Sequence, residues 1–337
     1  MTNPLYVNET LPADDLAAMR EFDDRYLASI GAGLPPSWAD AGDFFPTSAP
    51  LLTFPISSIA LKYQRTEAEG RFKTLIAKSF DLKTEEFDVG VEAPWLAVKT
   101  QQFAYRLWLE GPARMMVAEV RHRNRSIVSL LEDGENALWG ASLNNPLGID
   151  TKTFFSATHR SDFNNPASSA WSNYQATPAD VVSLTNLKAE VTAMQGVLDE
   201  NGEKIGADPD MILVPTAKYE PLKFLLAQNL ILETTTSPGN LAAGVTNPYS
   251  GKFTVVHVPE FTDPDDWYLV DSKLRASSGL PPWLSARYTP PDPELSMREW
   301  DTSTDYFKDT GNIKKSSHIW HGHCLGFPHS IRKIKGA

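Results

Sequence analysis

A chain of 337 residues that is 42% hydrophobic and 22% charged has a globular composition, with room for one large domain or two ordinary ones. Its single cysteine excludes an internal disulfide framework, and its start has neither the basic nor the apolar region of a signal peptide, so a reducing compartment is expected. No apolar run approaches the ~20 residues of a membrane span, and a net charge of −11 argues against a main task of gripping phosphate backbones.

The charge is unevenly spread. Glu9, Asp14, Asp15, Glu21, Asp23, Asp24, Asp40 and Asp43 face only Arg20 and Arg25, whereas Lys308, Lys314, Lys315, Arg332, Lys333 and Lys335 face Asp309. Oppositely charged ends suit head-to-tail contact between copies. Residues 1 to about 55 are proline-rich, with one helix expected from Ala13 to Ser29 and stopped by Gly31 and Gly33. They read as an arm whose Leu34, Trp38, Phe44 and Phe45 need a surface to lie on, either a partner's or that of their own domain.

Strands from Ile59 to Arg65 and from Phe72 to Phe80, joined by a turn reading AEGR, form a hairpin too long to stand alone in water. A helix is expected from Trp95 to Glu110, broken by Gly111 and Pro112, and a second from Ala113 to Asp133, closed by Gly134. At ~1.5 Å per residue the second is about 30 Å long. Thr177 as N-cap and Pro178 at the first position open a third helix, ended by Asn201 and Gly202. Met211 to Pro215 reads as a short strand, and Leu222 to Leu230 as a helix. Phe253 to Val258 and Trp267 to Val270 read as strands joined by the acidic turn TDPDD, with further strands at Thr304 to Phe307 and Ile313 to Leu325. This mixed order favours α+β over a doubly wound sheet.

Three stretches invite chemical readings. Ser156 to Asp162 spells serine, histidine and aspartate, but the spacing is wrong for a triad and there is no G-x-S-x-G elbow, so a hydrogen-bonded turn is expected. Arg121 to Arg125 is the densest basic patch. On a helix Arg114, Arg121 and Arg125 share one face and Glu119 can pair with Arg123, which gives either a solvated face or a contact for an acidic neighbour. The stretch HIWHGHC, from His318 to Cys324, holds the cysteine and three of the seven histidines. Read as a strand it sends His321 and His323 to one face, and His318, Trp320 and Cys324 to the other. His321 and His323 are then candidate metal ligands only with help from elsewhere, and a packed sheet surface is expected instead.

The order of parts resembles phage major capsid proteins of the Hong Kong 97-type fold, closest to the Mu-like major head subunit family. In that family a phenylalanine pair, a histidine and an asparagine follow the long spine helix; Phe154, Phe155, His159 and Asn164 match them. Asn247, Pro248, Trp267, Tyr268 and Leu269 match a later Asn-Pro and a Trp-Tyr-Leu strand. The resemblance implies an N-terminal arm at 1–50, an E-loop hairpin at 51–90, a peripheral domain at 91–139 and 296–329, and an axial domain at 140–295 and 330–337. It implies an α+β capsid subunit that assembles with copies of itself, through hexamers and pentamers, into an icosahedral shell around phage or prophage double-stranded DNA held by non-specific contacts. Separate scaffold, portal and decoration proteins, assembly in the bacterial host cytoplasm, and no enzymatic activity or cofactor also follow. The expected assembly contacts are Lys62, Tyr63, Arg65, Arg71, Phe72 and Lys73 on the hairpin and Arg121 and Arg125 on the spine. An encapsulin-type compartment and a metal-dependent hydrolase using His318, His321 and His323 are the competing readings.

Overall fold

The computed structural model describes residues 15–32, 34–57, 77–138, 149–162, 165, 167–199, 202–232, 244–274, 281–288 and 297–337. In chain order, α1 (Asp15–Ala32) is followed by a capped turn at Trp38–Ala41, then β1 (Asp43–Thr47), β2 (Leu51–Ser57), β3 (Ala77–Lys83) and β4 (Glu85–Pro94). Three helices follow, α2 (Trp95–Thr100), α3 (Gln102–Leu109) and α4 (Gly111–Asp133). Three two-residue strands, β5 (His159–Arg160), β6 (Ala170–Trp171) and β7 (Tyr174–Gln175), precede α5 (Leu184–Gln195), β8 (Met211–Val214) and α6 (Thr216–Ala227). The remainder comprises β9 (Leu230–Leu232), β10 (Gly244–Thr246), β11 (Thr254–His257), β12 (Trp267–Val270), β13 (Trp283–Tyr288), β14 (Met297–Trp300), α7 (Asp305–Thr310), β15 (Asn312–Leu325) and β16 (Ile331–Ile334).

Two five-stranded sheets organise these parts. In the first, β15 pairs antiparallel with β4 along one edge, and with β14 and then β13 along the other, while β1 adds parallel to β13. The second runs β11-β8-β12-β16-β7. Ile127, Val128 and Leu131 on α4, Leu213 and Tyr268 of the second sheet, and Trp283 and Leu284 of the first share one buried core. Burying such side chains stabilises by about 1.5–3 kcal/mol each, so the long helix is the beam that joins the two sheets. A second core lies between α5, α6 and the second sheet.

The arm lies on its own body. Ala18, Met19, Phe22 and Tyr26 of α1 pack with Tyr105, Trp108 and Met115, and the Trp108 indole donates to the Ala18 carbonyl at 3.2 Å. Trp38 and Phe44 are half-buried, Trp38 edge-on to Trp283 at 5.7 Å between ring centroids, so these apolar residues find their surface within the chain. A Cβ on Gly111 would stand 2.6 Å from the Phe22 ring, so glycine there permits the close crossing of α1. The opposite end charges meet in part inside one subunit: the buried Lys315 ammonium pairs with Asp23 and, at 3.0 Å, with Glu299.

Several expectations are corrected. The helix foreseen from Trp95 to Glu110 bends at Gln101, whose ψ is 114°, and no local breaker announces it. Gly111 and Pro112 do not interrupt: they begin α4, with proline in the first turn. The third helix opens at Ser183 rather than Thr177, because the Ala179 amide donates to the Lys335 carbonyl and the Ala179 carbonyl accepts from the Trp267 indole, both at 2.9 Å. Those tertiary bonds hold the backbone extended, and the helix ends at Gly196 instead of Asn201. β11 and β12 form where expected, and β8 lies between them, parallel to β11 and antiparallel to β12. Thr304 to Phe307 is not a strand. The Thr304 hydroxyl accepts from the Phe307 amide at 3.3 Å and caps α7, which ends at a left-handed Gly311. β1, β4 to β7, β9, β10, β13, β14 and β16 were not foreseen from the sequence, and Leu230, expected to be helical, lies in β9.

The expected strand Ile59 to Arg65, the AEGR turn and the first part of the strand from Phe72 lie outside the described residues; flanking them, β2 and β3 pair antiparallel from Leu51↔Lys83 to Ser57↔Ala77. Leu82 is buried, and Leu52 and Phe54 rest on the core. No helix among the described residues is long and apolar enough to cross a membrane.

Candidate functional site

Of the expected assembly contacts, Lys62, Tyr63, Arg65, Arg71, Phe72 and Lys73 lie outside the described residues. Arg121 and Arg125 are exposed on successive turns of α4 and line an open groove with Glu132, Asp133, Glu260 and Thr262. Across its wall Glu132 Oε1 accepts from the Thr262 amide at 2.7 Å and its hydroxyl at 3.0 Å. The helix-face pairing is otherwise redrawn. Glu119 does not pair with Arg123: buried, it holds Arg287 at 3.0 Å, while the buried Arg123 reaches Asp40 at 2.6 Å. Arg114 pairs with Glu110 at 2.8 Å.

The Ser156–Asp162 stretch is a structural turn. Buried His159 sits between Asp150 Oδ2 at 2.6 Å and the Phe154 carbonyl at 2.9 Å, so neither ring nitrogen is left to activate Ser156. Its ring stacks on Trp171 at 4.8 Å, Trp171 on His329 at 3.8 Å, and His329 on Phe327 at 4.3 Å. Burial, and then the charge of His159, hold His329 well below the usual histidine range. This ring column ties the post-spine loop to the turn that launches β16.

The C-terminal histidines separate as strand alternation requires. His318 faces Glu86, with Nδ1 2.8 Å from Oε1, and therefore drops out of any constellation with His321 and His323. The hydrolase trio is thus not assembled. Instead His321 and His323 turn toward α4 and meet His122, with ring centroids 5.8 Å (His122 to His321), 5.9 Å (His122 to His323) and 5.5 Å (His321 to His323) apart. His321 Nε2 lies 2.9 Å from Glu119 Oε1, and His323 Nδ1 lies 3.0 Å from Ser285 Oγ. Burial first, then the charges of His321, His122 and Arg123, lower His323 to about 3, and burial also lowers His122. Phe87 covers His122 at 4.0 Å. Sequence reasoning missed His122 because it stands inside a run of arginines; its helical phase, one position from the solvated Arg121, was the available signal.

The profile of a family described as phage capsid protein matches residues 90–305, more than half of the chain. The chain belongs to this family of phage capsid proteins. No curated protein matches it. Among solved structures, a chain of Microbacterium phage Oxtober96 is 9% identical, with 90% of this chain and 92% of that one covered and a TM-score of 0.50. The capsid of the cyanophage P-SCSP1u is 9% identical, with 90% and 89% covered and a TM-score of 0.50. At such identities the likeness is one of fold, and the fold is the Hong Kong 97-type capsid fold.

Within this phage capsid protein, the matched motif residues are framework. Phe154 and Phe155 are buried in the core that joins the sheets, edge to face at 5.1 Å. The Asn247 amide donates to the Leu225 and Gln228 carbonyls at 3.1 and 3.0 Å, capping the end of α6. Trp267, Tyr268 and Leu269 are fully buried in β12. Asn164 lies outside the described residues. The capsid protein is a structural, self-assembling component of the phage particle.

Proposed function

We propose that this chain is the major head subunit, akin to the Mu-like head proteins, and that hexamers and pentamers of it close an icosahedral shell around double-stranded DNA. Assembly takes place in the bacterial host cytoplasm with separate scaffold, portal and decoration proteins, and the subunit performs no catalysis. The observation that carries this reading is a set of elements left incomplete in a single, otherwise well-buried chain. The β2-β3 pair is a two-stranded sheet of its own, and Leu96, Phe103 and Phe224 are 73%, 72% and 70% exposed. A hairpin gains stability by packing, and large exposed apolar side chains beyond the scattered norm mark surfaces for neighbours.

The arm, E-loop, peripheral and axial divisions follow the same reading. The return from the axial to the peripheral part is best set at Trp283 rather than near 296, since β13 pairs with β15. Electron microscopy and size-exclusion of the purified protein test the proposal: rings or shells are expected, and a monomer or dimer that never assembles would overturn it. Shells filled with protein and free of DNA would point to a compartment instead.

The groove arginines belong to this reading as assembly contacts. Reversing Arg121 and Arg125 to Glu is expected to lower particle yield while leaving subunit stability within about 0.5 kcal/mol, as for exposed helix positions. Thermal melting of the subunit and particle counts by microscopy measure both, and an unchanged yield would return the pair to a solvated helix face.

A further inference from the structure

The geometry points to a transition-metal site of the zinc class, formed by His122 of α4 with His321 and His323 of β15. Each histidine brings one nitrogen to the cluster that has no other engagement among the described residues. His122 Nε2, His321 Nδ1 and His323 Nε2 are all buried without a hydrogen-bond partner. One ligand atom from each histidine lies within 4.8 Å of the others. Leaving a buried polar nitrogen unsatisfied costs about 1–3 kcal/mol, and one such nitrogen on each of three neighbouring histidines is the pattern of a shared ligand rather than of three packing accidents.

Ring placement fits a metal. With metal–nitrogen bonds of about 2.0–2.1 Å in tetrahedral array, imidazole centroids fall roughly 5.2 Å apart. The observed separations of 5.5, 5.8 and 5.9 Å exceed this by amounts that small ring rotations remove. Ligating histidines usually engage their second nitrogen with a carboxylate or other polar group that fixes the tautomer, and two of these three do. Glu119 holds Nε2 of His321, leaving Nδ1 to ligate, and Ser285 holds Nδ1 of His323, leaving Nε2. Nearby Arg123 and Arg287 are neutralised by Asp40 and Glu119, so a dication would not meet unpaired guanidinium charge.

Three neutral imidazoles without a thiolate favour Zn²⁺, Co²⁺ or Ni²⁺ over Ca²⁺ or Mg²⁺. No fourth side chain joins the group among the described residues, which leaves one position for water or an anion. Such a metal would staple the long helix to the central strand of the first sheet. A Cβ on Gly322, between the two strand histidines, would stand 2.6 Å from the Lys83 carbonyl, so the backbone there is held close against the hairpin base. The staple therefore sits directly behind the root of the β2-β3 pair.

Untagged full-length protein, stripped with chelator and dialysed against micromolar ZnCl₂, is expected to retain one zinc per chain by elemental analysis. Co²⁺ should give the visible absorption of a four-coordinate nitrogen site. Glu119→Gln should weaken Zn²⁺ binding about tenfold, as for a lost outer-shell partner, and His122→Asn and His323→Asn, which each remove a ligand, by more than about 100-fold. Wild-type protein that retains no zinc, or zinc unaffected by His122→Asn, would overturn the site. Should neither histidine variant fold, X-ray absorption at the zinc edge of the wild type decides: three imidazole nitrogens support the assignment, and a shell of oxygens refutes it.

Discussion

Deleting Thr66 to Arg71, which the sequence reads as the hairpin turn, is expected to leave a soluble, folded subunit that no longer closes into shells. At the root, seven residue pairs from Leu51↔Lys83 to Ser57↔Ala77 bind β2 to β3, Leu82 is buried, and Leu52 and Phe54 lie against the core. Those contacts do not involve the deleted residues, so subunit stability should change by less than about 0.5 kcal/mol, the usual range away from buried features. Loss of an interface of even about 1,200 Å² per contact, multiplied around a closed ring, is ample to abolish assembly. Circular dichroism and size-exclusion report the fold, and negative-stain microscopy reports the particles. Normal shells from this variant would remove the hairpin from the assembly contacts, whereas an unfolded product would show that the end of the hairpin supports the subunit itself.

The largest single-residue effect on stability is expected from Glu190→Ala. Glu190 on α5 and Arg332 on β16 meet at 2.7 Å with only 7% of either side chain exposed, and Arg332 also donates to the Ser172 carbonyl at 2.8 Å. Removing the carboxylate leaves a buried cation with a single neutral partner, at a cost of about 3–5 kcal/mol. Replacing both residues with Met should restore most of that loss, since the intact pair offsets its own desolvation rather than adding a large net gain. Arg114 and Glu110 make a useful contrast. At 2.8 Å and more than half exposed, they are a surface pair at the start of α4, and Arg114→Ala there should cost about 1 kcal/mol or less. Urea unfolding of the four proteins tests this, and a Glu190→Ala cost as small as that of the surface pair would refute the buried-pair account.

Where the chain advertises its structure locally, the sequence was readable. The apolar spacing of Met116, Val117, Val120, Ile127, Leu130 and Leu131 announces α4; Met116, Ile127 and Leu131 are buried, Val120 and Leu130 half-buried, and Val117 is exposed. The alternation in HIWHGHC places His321 and His323 together and His318 apart, as found. Thr304 was a legible cap that went unread, since a hydroxyl three residues before an amide it can bind is a local signal. The start of α5 was not legible, because the bonds that keep Ala179 extended come from Lys335 and Trp267, far along the chain.

The candidate metal cluster divides in the same way. Two of its members were marked by sequence, since a spacing of two on a strand fixes a common face whatever surrounds it. The third was not, because the distance between position 122 and position 321 is set by how α4 crosses β15, and nothing in a run of arginines encodes that crossing. By itself, then, the sequence determined the α+β class, the long helix, the last long strand and the resemblance to capsid subunits, all of which rest on periodicity and short motifs within a few turns of chain. The tertiary structure alone decided that the arm folds back on its own body, that β8 separates β11 from β12, and that Glu119 serves His321 rather than Arg123. Those outcomes depend on which buried charges and ring nitrogens are brought within bonding distance, a property of packing that no local window contains.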